Sequence, residues 1–484
     1  MLSLTDKGEY EKKQSKKIEK ELPFFVTLVS LLATSGFGPY TILQKIKGIS
    51  LLPTIQAESV KILKRIDMLG VDPLTALSEA KDKPSSKALG EFLGGYVSAI
   101  QSGGNVINYL KSKMQSSFER FESLEKQSVE KINGIVHAWL TMQIVILAVF
   151  IMMAAIGSNS MGMDSTNADS NQPPYLLLFF APVMSIVFMK LVQNMATSNI
   201  KELEVKKIIK FLVPAVLVAV VLIFTHVFDS MHVDSYILGI ALIIASILPA
   251  KQFAKIYKLN MDAEFATPQI LRDITEARKA GMGPEKCVIH ACKRKDYKSF
   301  NTIANSISNK LEWGVTLDSM FNTLQNEIKN FQVLVSFRIL FEIITSGGGN
   351  VNTLDSLADT SEKVYQIQKN KQEMLKPYVM VGFMLIVITG FTTLLTIDSL
   401  VNINQEKNLG KPDTSGTDYQ SMMDFVSLAI LVQAWLAGLF IGKVTQGAYS
   451  GGFMYSILLT VATMGAIAII QMHFINIGGI IAHK

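Results

Sequence analysis

The chain has 484 residues, 49% of them hydrophobic, and its mean hydropathy of +0.31 lies above that of an ordinary soluble protein. Its 46 basic and 40 acidic residues leave a net charge of +6. Because the acidic residues nearly balance the basic ones, and because aromatic residues are not interleaved among the basic ones, we expect no nucleic-acid binding.

Residues 1–20 form a basic N-terminal arm, in which several lysines alternate with glutamates. The arm lacks an apolar core, so we expect no secretory signal peptide there. Anionic lipid headgroups attract such a surface by about 1 kcal/mol per basic residue, and the lipid membrane is therefore its expected partner.

Residues 21–135 carry the pattern of a small helical bundle. Apolar residues recur at helical spacing after Pro23, and short glycine-containing turns interrupt them. In each turn a glycine can end one helix in the left-handed conformation, and a proline or a capping residue can open the next helix. The turn residues predicted in this way are Gly36, Gly38, Pro39, Gly70, Gly103 and Gly104.

The same turns return in the second half of the chain. SGFGP at 35–39 is matched by AGMGP at 280–284, and SGGNV at 102–106 is matched by SGGGNV at 346–351. A nearly constant offset is typical of a duplicated unit, so we predict a second bundle at 251–377. Its turn residues are Gly281, Gly283, Pro284, Gly314, Gly347 and Gly348.

Apolar runs long enough to cross a bilayer follow each bundle. They place four spans within 136–250 and three spans, with a short tail, within 378–484. The runs lie near 136–156, 174–192, 211–228, 236–250, 378–397, 425–442 and 453–475, and 211–250 could instead form a tighter hairpin. The predicted fold class is an all-α polytopic membrane protein with two duplicated cytoplasmic helical bundles and about seven transmembrane helices.

The distribution of basic residues predicts the orientation of these spans. The loops at 157–173 and 229–235 contain no lysine or arginine, and on their side of the membrane we place only Lys407, Lys411 and Lys484. Since basic loops stay in the cytoplasm, both bundles and the N-terminus are predicted to be cytoplasmic and the C-terminus to be outside.

The motifs of an enzyme are not recognisable in the sequence. GLFIGK, at Gly438–Lys443, is one residue short of a P-loop, lacks the following Ser or Thr, and follows no strand, so a partner must hydrolyse any ATP. Cys287, His290 and Cys292 lie close together, but a zinc site needs about four ligands, and we interpret them as packed helical thiols beside a histidine on a polar face. We expect no catalytic residue, no cofactor and no metal.

The interiors of the predicted spans contain no carboxylate, lysine or arginine. This argues against a pump or transporter, which needs such groups within the membrane. Gln433 and Gln471 are the main strongly polar residues inside the spans, and we expect them to hydrogen-bond between helices.

Each bundle also carries a basic cluster that could bind an acidic protein partner. A solvated surface facing anionic lipid is the alternative role. The clusters consist of Lys61, Lys64 and Arg65 in the first bundle and of Lys293, Arg294, Lys295 and Lys298 in the second.

The chain resembles the type II secretion system F domain family, which includes platform proteins of type IV pili, type II secretion and archaeal surface filaments. The resemblance rests on LPFFVTLVSLLATSGFGP at 22–39, on the GVDPLTAL turn at 70–77 and on the SGGNV turn at 102–106. It covers nearly the whole chain, although its motifs are signatures of turns and packing.

The C-terminal stretch at 438–452 is similar to the archaeal branch of this family, which includes archaellum assembly platform proteins, and the four-span insert between the bundles suits that branch as well. Its glycine-spaced segment contains a G-x-x-x-G-K motif, formed by Gly438, Gly442 and Lys443, and continues through Gly447 to Gly452. We expect these glycines to allow close helix packing or a sharp turn.

The resemblance implies a non-enzymatic membrane platform at the base of a filament. A hexameric secretion ATPase would dock on the cytoplasmic bundles, and the platform would pass pilin-like or archaellin-like subunits from the membrane into the fibre. The two basic clusters are then candidate contacts of the ATPase, and a homodimer is plausible.

Two other classes of protein remain as alternatives. A permease driven by a separate ATPase should have polar groups that converge in mid-membrane, and the predicted spans do not. A membrane receptor should have a folded extracellular domain, whereas the outside loops predicted here are short.

Overall fold

The computed structural model describes residues 4–82, 84–160, 180–195, 234–293, 297–347, 349–407 and 416–481. Within these ranges the chain is almost entirely helical and contains no strand, which confirms the predicted all-α fold class. The α-helices are α1 (Leu4–Thr34), α2 (Pro39–Lys47), α3 (Pro53–Leu69), α4 (Pro73–Asp82), α5 (Lys87–Gln101), α6 (Val106–Ser160), α7 (Phe180–Met195), α8 (Asp234–Lys279), α9 (Pro284–Cys292), α10 (Asn301–Glu312), α11 (Leu317–Glu327), α12 (Phe331–Thr345), α13 (Val351–Lys407), α14 (Gly416–Gln446) and α15 (Gly452–Ile481). Short 3-10 helices lie at Lys298–Phe300 and Tyr449–Gly451.

The chain divides into two compact units. Unit 1 consists of Met1–Gln127 and Tyr257–Lys371, and unit 2 consists of Ser128–Ile256 and Gln372–Lys484. Most of both predicted bundles therefore lies in unit 1. The apolar faces of the two copies contribute to one hydrophobic core.

Aromatic side chains join the two copies within that core. The ring centroid of Phe24, in α1, lies 6.2 Å from those of Phe118 and Phe121, in α6. It lies 5.5 Å from that of Phe331, which opens α12 in the second copy, and the two rings are perpendicular. Edge-to-face pairs of this kind stabilise a core beyond the area they bury.

A carboxylate on the first helix of each copy caps a neighbouring helix. Glu21 accepts hydrogen bonds from the backbone N–H groups of Thr54 and Ile55, at the start of α3. In the second copy Asp262 accepts one from the N–H of Ser299, which follows Thr54 by 245 residues and precedes α10. The N–H groups at a helix start have no partner within the helix, so both carboxylates meet the same need in the two copies.

Unit 2 contains most of the apolar helical length. Among the described residues, five helices are long and apolar enough to cross a membrane, namely α6, α8, α13, α14 and α15. Helix α7 is a shorter apolar helix that overlaps the predicted span at 174–192. The predicted span at 211–228 lies outside the described residues, so the count of seven spans stays a prediction.

Candidate functional site

Three helices connect unit 1 with unit 2 in the described part of the chain. Helix α6 leaves unit 1 after Gln127, α8 enters it at Tyr257, and α13 leaves it after Lys371. Near these points the Lys371 ammonium lies 2.6 Å from the Glu125 carboxylate. We call this part of unit 1 the exit end.

A second carboxylate lies buried at the exit end. Glu264, in α8, accepts a hydrogen bond from the side-chain amide of Asn330 at 3.2 Å. Its other oxygen, Oε1, has no hydrogen-bond partner among the described residues. A buried carboxylate oxygen without a partner is costly, so it marks a place where the observed arrangement leaves a possible interaction unmade.

The opposite end of unit 1 is formed by turns, and we call it the turn end. Helix α6 begins there at Val106, and at 1.5 Å per residue roughly 30 Å of helix separates that residue from Gln127. Helix α3 starts beside Glu21 and ends near α2, where the Tyr40 hydroxyl donates to the Asp67 carboxylate at 2.9 Å. The turns that end α1, α3 and α5 therefore share this end. In the second copy the Arg278 side chain donates to the Gly349 carbonyl at 2.8 Å, which joins the turns after α8 and α12, and we assign the turn after α10 to the same end from the duplication.

The left-handed glycines lie in these turns. A positive φ is strained for residues with a Cβ, which is why glycine occupies the position after each helix. The values are φ +89° at Gly36, +66° at Gly70, +61° at Gly103, +86° at Gly281, +77° at Gly314 and +72° at Gly347.

The remaining predicted turn residues have other roles. Gly38 and Gly283 have extended backbones and precede Pro39 and Pro284, the first residues of α2 and α9. Gly104 lies in the α5–α6 turn without a positive φ. Gly348 lies outside the described residues.

The first basic cluster is partly engaged within unit 1. Lys61 forms an ion pair with Glu58 at 2.7 Å, and Arg65 forms one with Glu79. Lys64 is exposed and has no ion-pair partner in the described part of the chain. Exposed ion pairs contribute little to stability, so these side chains can exchange partners at small cost.

The second basic cluster is not gathered on one described surface. Lys293 pairs with Glu312, whereas the Lys298 ammonium lies over the Phe265 ring, 4.6 Å from its centroid. Arg294 and Lys295 lie outside the described residues. The role of both clusters in binding the ATPase therefore stays a prediction.

The two cysteines are buried thiols in α9. Burial raises the pKa of the Cys292 thiol to about 12, and it also raises that of Cys287. Among the described residues, no group of three or more His, Cys, Asp or Glu side chains is arranged to hold a metal ion. Both thiols instead pack in the core of unit 1, as part of its apolar interior.

In unit 2, the glycine-spaced segment lies at the contact between α14 and α15. A Cβ on Gly442 would overlap the backbone of Gly452, and one on Gly438 would overlap the backbone of Ser456. The two helix backbones therefore approach each other more closely than any larger residue permits, as small residues allow in membrane helices.

The turn that joins α14 to α15 is held by a buried lysine. Only 4% of Lys443 is exposed. Its ammonium donates to the backbone carbonyl of Gly447 at 2.8 Å and lies 4.4 Å from the centroid of the Tyr449 ring. A helix-terminal carbonyl and an aromatic face thus stabilise the lysine charge. Lys443, the lysine of the G-x-x-x-G-K motif, therefore helps to hold this turn.

Gln433 hydrogen-bonds between helices, as the sequence suggested. Its amide lies 3.2 Å from the Ser185 hydroxyl of α7, which also accepts from the Trp139 indole of α6 at 3.1 Å. The side chain of Gln471 lies outside the described part of the chain.

Comparisons with known proteins identify the family of the chain. The family model described as "Type II secretion system (T2SS), protein F" matches residues 25–154 and 270–397, which together exceed half of the chain. The chain belongs to this family. Members of the T2SS protein F family are membrane platform proteins of secretion and pilus systems, and they are generally non-catalytic.

Each match to the T2SS protein F family covers most of one copy of the duplicated unit and most of its long helix, α6 or α13. The chain is also 20% identical to an uncharacterized protein of Methanocaldococcus jannaschii, over 93% of this chain and 79% of that relative. No solved structure matches the chain. As a T2SS protein F family member with several long apolar helices, it is a multi-pass membrane protein.

The charge pattern of the sequence does not reveal the exposed apolar residues of the turn end. Trp313 is 83% exposed and Leu69 is 71% exposed, and they immediately precede Gly314 and Gly70. Trp313 follows Leu69 by 244 residues, so both copies of this T2SS protein F family member expose a large apolar side chain at the same position. The signal was available in the sequence as a large apolar residue before Gly70 in one copy and before Gly314 in the other.

Proposed function

We propose that this chain is the non-enzymatic inner-membrane platform of a type IV pilus-like or archaellum assembly machine. It couples a cytoplasmic hexameric secretion ATPase to the insertion of pilin-like or archaellin-like subunits into the filament. The observation that carries this proposal is the length of α6 and α13. Each helix begins in a turn of unit 1 and continues, without a break in the helix, into an apolar segment of unit 2.

Continuous helices suit the transmission of motion. The 55 residues of α6 correspond to roughly 80 Å, more than twice the thickness of a hydrocarbon core. Their backbone hydrogen bonds lie within the helix, so a push at one end moves the other end without the loss of those bonds. Helix α13 contains Pro377, which removes one such bond, so α6 is the stiffer of the two.

The turn end is the surface we assign to the ATPase. Single exposed apolar residues are common on protein surfaces, so the support comes from their repetition: Trp313 and Leu69 are exposed at matching positions of both copies. Tryptophan is also enriched among residues that dominate binding energies. Lys64, five residues before Leu69 in α3, adds an exposed charge that a partner can engage.

In this proposal the chain lies in the cell membrane with its N-terminus and both bundles in the cytoplasm and its C-terminus outside. The positive-inside distribution of lysine and arginine supports that orientation. It exposes the turn end to cytoplasmic proteins and the apolar helices to subunits stored in the membrane. The duplicated unit is also compatible with a homodimer.

The test is purification of the tagged full-length chain from its native membrane in mild detergent, with mass spectrometry of the proteins that accompany it. We expect a secretion-type ATPase and pilin-like subunits, and the identity of the subunits names the filament. Recovery of an ABC-type ATPase or a solute-binding protein would instead indicate a permease and contradict the proposal.

Variants locate the surface that binds the ATPase. The double variant Leu69→Gln/Trp313→Ser should weaken ATPase binding by about tenfold or more, since buried apolar anchors dominate interfaces. Lys64→Glu tests the basic cluster in the same assay. Lys369→Gln, an exposed residue close to the exit end, is the matched control and should leave binding unchanged.

A further inference from the structure

Lys371 lies at the exit end, on the helix that leaves unit 1 there. Its ammonium is 2.6 Å from Glu125, and the side chains are 13% and 11% exposed. Glu125 belongs to α6 of the first copy and Lys371 to α13 of the second. This ion pair therefore joins the two copies where both long helices leave the unit.

Glu264 offers Lys371 a second carboxylate. It lies on α8, is 7% exposed, and has one oxygen without a hydrogen-bond partner in the described part of the chain. Burial raises the pKa of the Glu264 carboxyl to about 7, and the hydrogen bond from Asn330 and the charge of Lys371 oppose that shift. A buried carboxylate that accepts one hydrogen bond from an amide gains more stabilisation from an added charged donor than an exposed carboxylate would.

The packing of α8 against α13 bears on whether Lys371 can reach Glu264 as well as Glu125. The rings of Phe265 and Tyr365 lie 6.1 Å apart, so the residue after Glu264 contacts α13 ahead of Lys371. Side chains in a helix lean toward its N-terminus, and a long side chain covers the turn before its own Cα. The Lys371 side chain therefore leans toward the level of Glu264.

We propose that Lys371 exchanges between Glu125 and Glu264, and that Glu264 is its reserve partner. In the observed state the lysine is bound to α6 of the first copy. In the alternative state it binds α8 of its own copy, and the link between the copies opens while every charge keeps a partner. Lys20 also interacts electrostatically with Glu125, and in the alternative state it balances the negative charge of that carboxylate.

The consequence of this exchange is a two-state contact at the root of both long helices. Small displacements become discrete changes when an element has two alternative sets of partners. A role for this contact in transmitting the motion of an ATPase rests on the proposed function. The exchange of partners by Lys371 does not rest on it, because the exchange involves only residues of unit 1.

A double-mutant cycle on the full chain in detergent tests the exchange. Glu125→Gln and Glu264→Gln should each have a small effect on the unfolding equilibrium constant, because Lys371 keeps one carboxylate in either variant. The double variant leaves the lysine without a carboxylate partner in this pair. We expect the double variant to raise the unfolding equilibrium constant, relative to the wild type, by a larger factor than the product of the two single-variant factors. The excess should be at least about threefold.

The matched background is Lys371→Met, in which the two glutamine substitutions should become additive. If the double variant fails to fold, its recovery by Lys371→Met supports the same conclusion. Additive effects in the wild-type background would overturn the proposal, and so would a coupling that persists after Lys371→Met. Neither outcome depends on whether an ATPase binds, so this test fails or succeeds independently of the proposed function.

Discussion

The carboxylate of Glu21 accepts a hydrogen bond of 2.8 Å from the backbone N–H of Ile55, so a side chain of α1 caps the start of α3. Thr54 donates to the same carboxylate through both its N–H and its hydroxyl. Pro53, the first residue of α3, has no N–H to satisfy, so Glu21 meets the first donors of the helix that need a partner.

Removal of this cap should destabilise unit 1. We expect Glu21→Ala to lower the free energy of unfolding by roughly 2 kcal/mol, because two backbone donors lose their acceptor in a largely buried place. Thermal unfolding of the detergent-solubilised chain measures the change. Glu276→Ala removes an exposed carboxylate from α8 and should change stability by no more than about 0.5 kcal/mol. Equal losses for the two variants would contradict the cap.

The same carboxylate should make stability depend on pH. Burial raises the pKa of Glu21 above its ordinary value of 4.5, although the hydrogen bonds from Ile55 and Thr54 oppose the shift. The folded state therefore holds the proton more tightly than the unfolded state. Its contribution to stability is fully present below pH 4.5 and is lost as pH rises through the folded pKa.

A Glu21→Gln variant isolates this effect, because glutamine carries no titrating proton at the same position. We expect the free energy of unfolding of the variant, relative to the wild type, to stay constant below pH 4.5 and to increase above it. Unfolding measured over a pH series gives the difference. A constant difference at every pH, or a difference that falls as pH rises, would contradict the raised pKa.

The thiols of α9 should resist modification in the folded chain. Cys287 and Cys292 are fully buried, and burial raises the pKa of Cys292 to about 12, so its reactive thiolate is scarce near neutral pH. We expect a maleimide reagent to label neither thiol until the chain unfolds. Rapid labelling of the native protein, measured by mass spectrometry, would show that α9 opens or that the thiols are accessible.

The helices of this fold could be predicted because local chemistry dictates them. A glycine with positive φ and a proline at the first helical position leave the chain few alternatives, as at Gly36 and Pro39 or at Gly281 and Pro284. The duplication also followed from sequence, since Gly314 repeats Gly70 at an offset that the other landmarks share.

The union of the two copies in one unit did not follow from sequence, because it depends on contacts between residues far apart in the chain. Phe24 meets Phe331, and Glu125 meets Lys371, although helical periodicity assigns each residue only to a face. The ion-pair partners of the basic clusters could not be predicted for the same reason. A sequence shows that Arg65 and Lys293 are charged, but only the fold shows that Glu79 and Glu312 pair with them.

The contact between α14 and α15 gives the sharpest test of unit 2. A Cβ at Gly442 would overlap the backbone of Gly452, and backbone atoms cannot move aside as a flexible side chain can. Gly442→Ala should therefore separate the two helices and reduce the yield of folded, monodisperse protein severalfold, with a lower midpoint of thermal unfolding. Gly465→Ala is the matched control, because it lies in α15 and its added Cβ meets no atom within 4 Å. That variant should be as stable as the wild type or slightly more so, since alanine favours the helix. If both variants behave alike in size-exclusion chromatography and thermal unfolding, the close approach at Gly442 does not hold the two helices together.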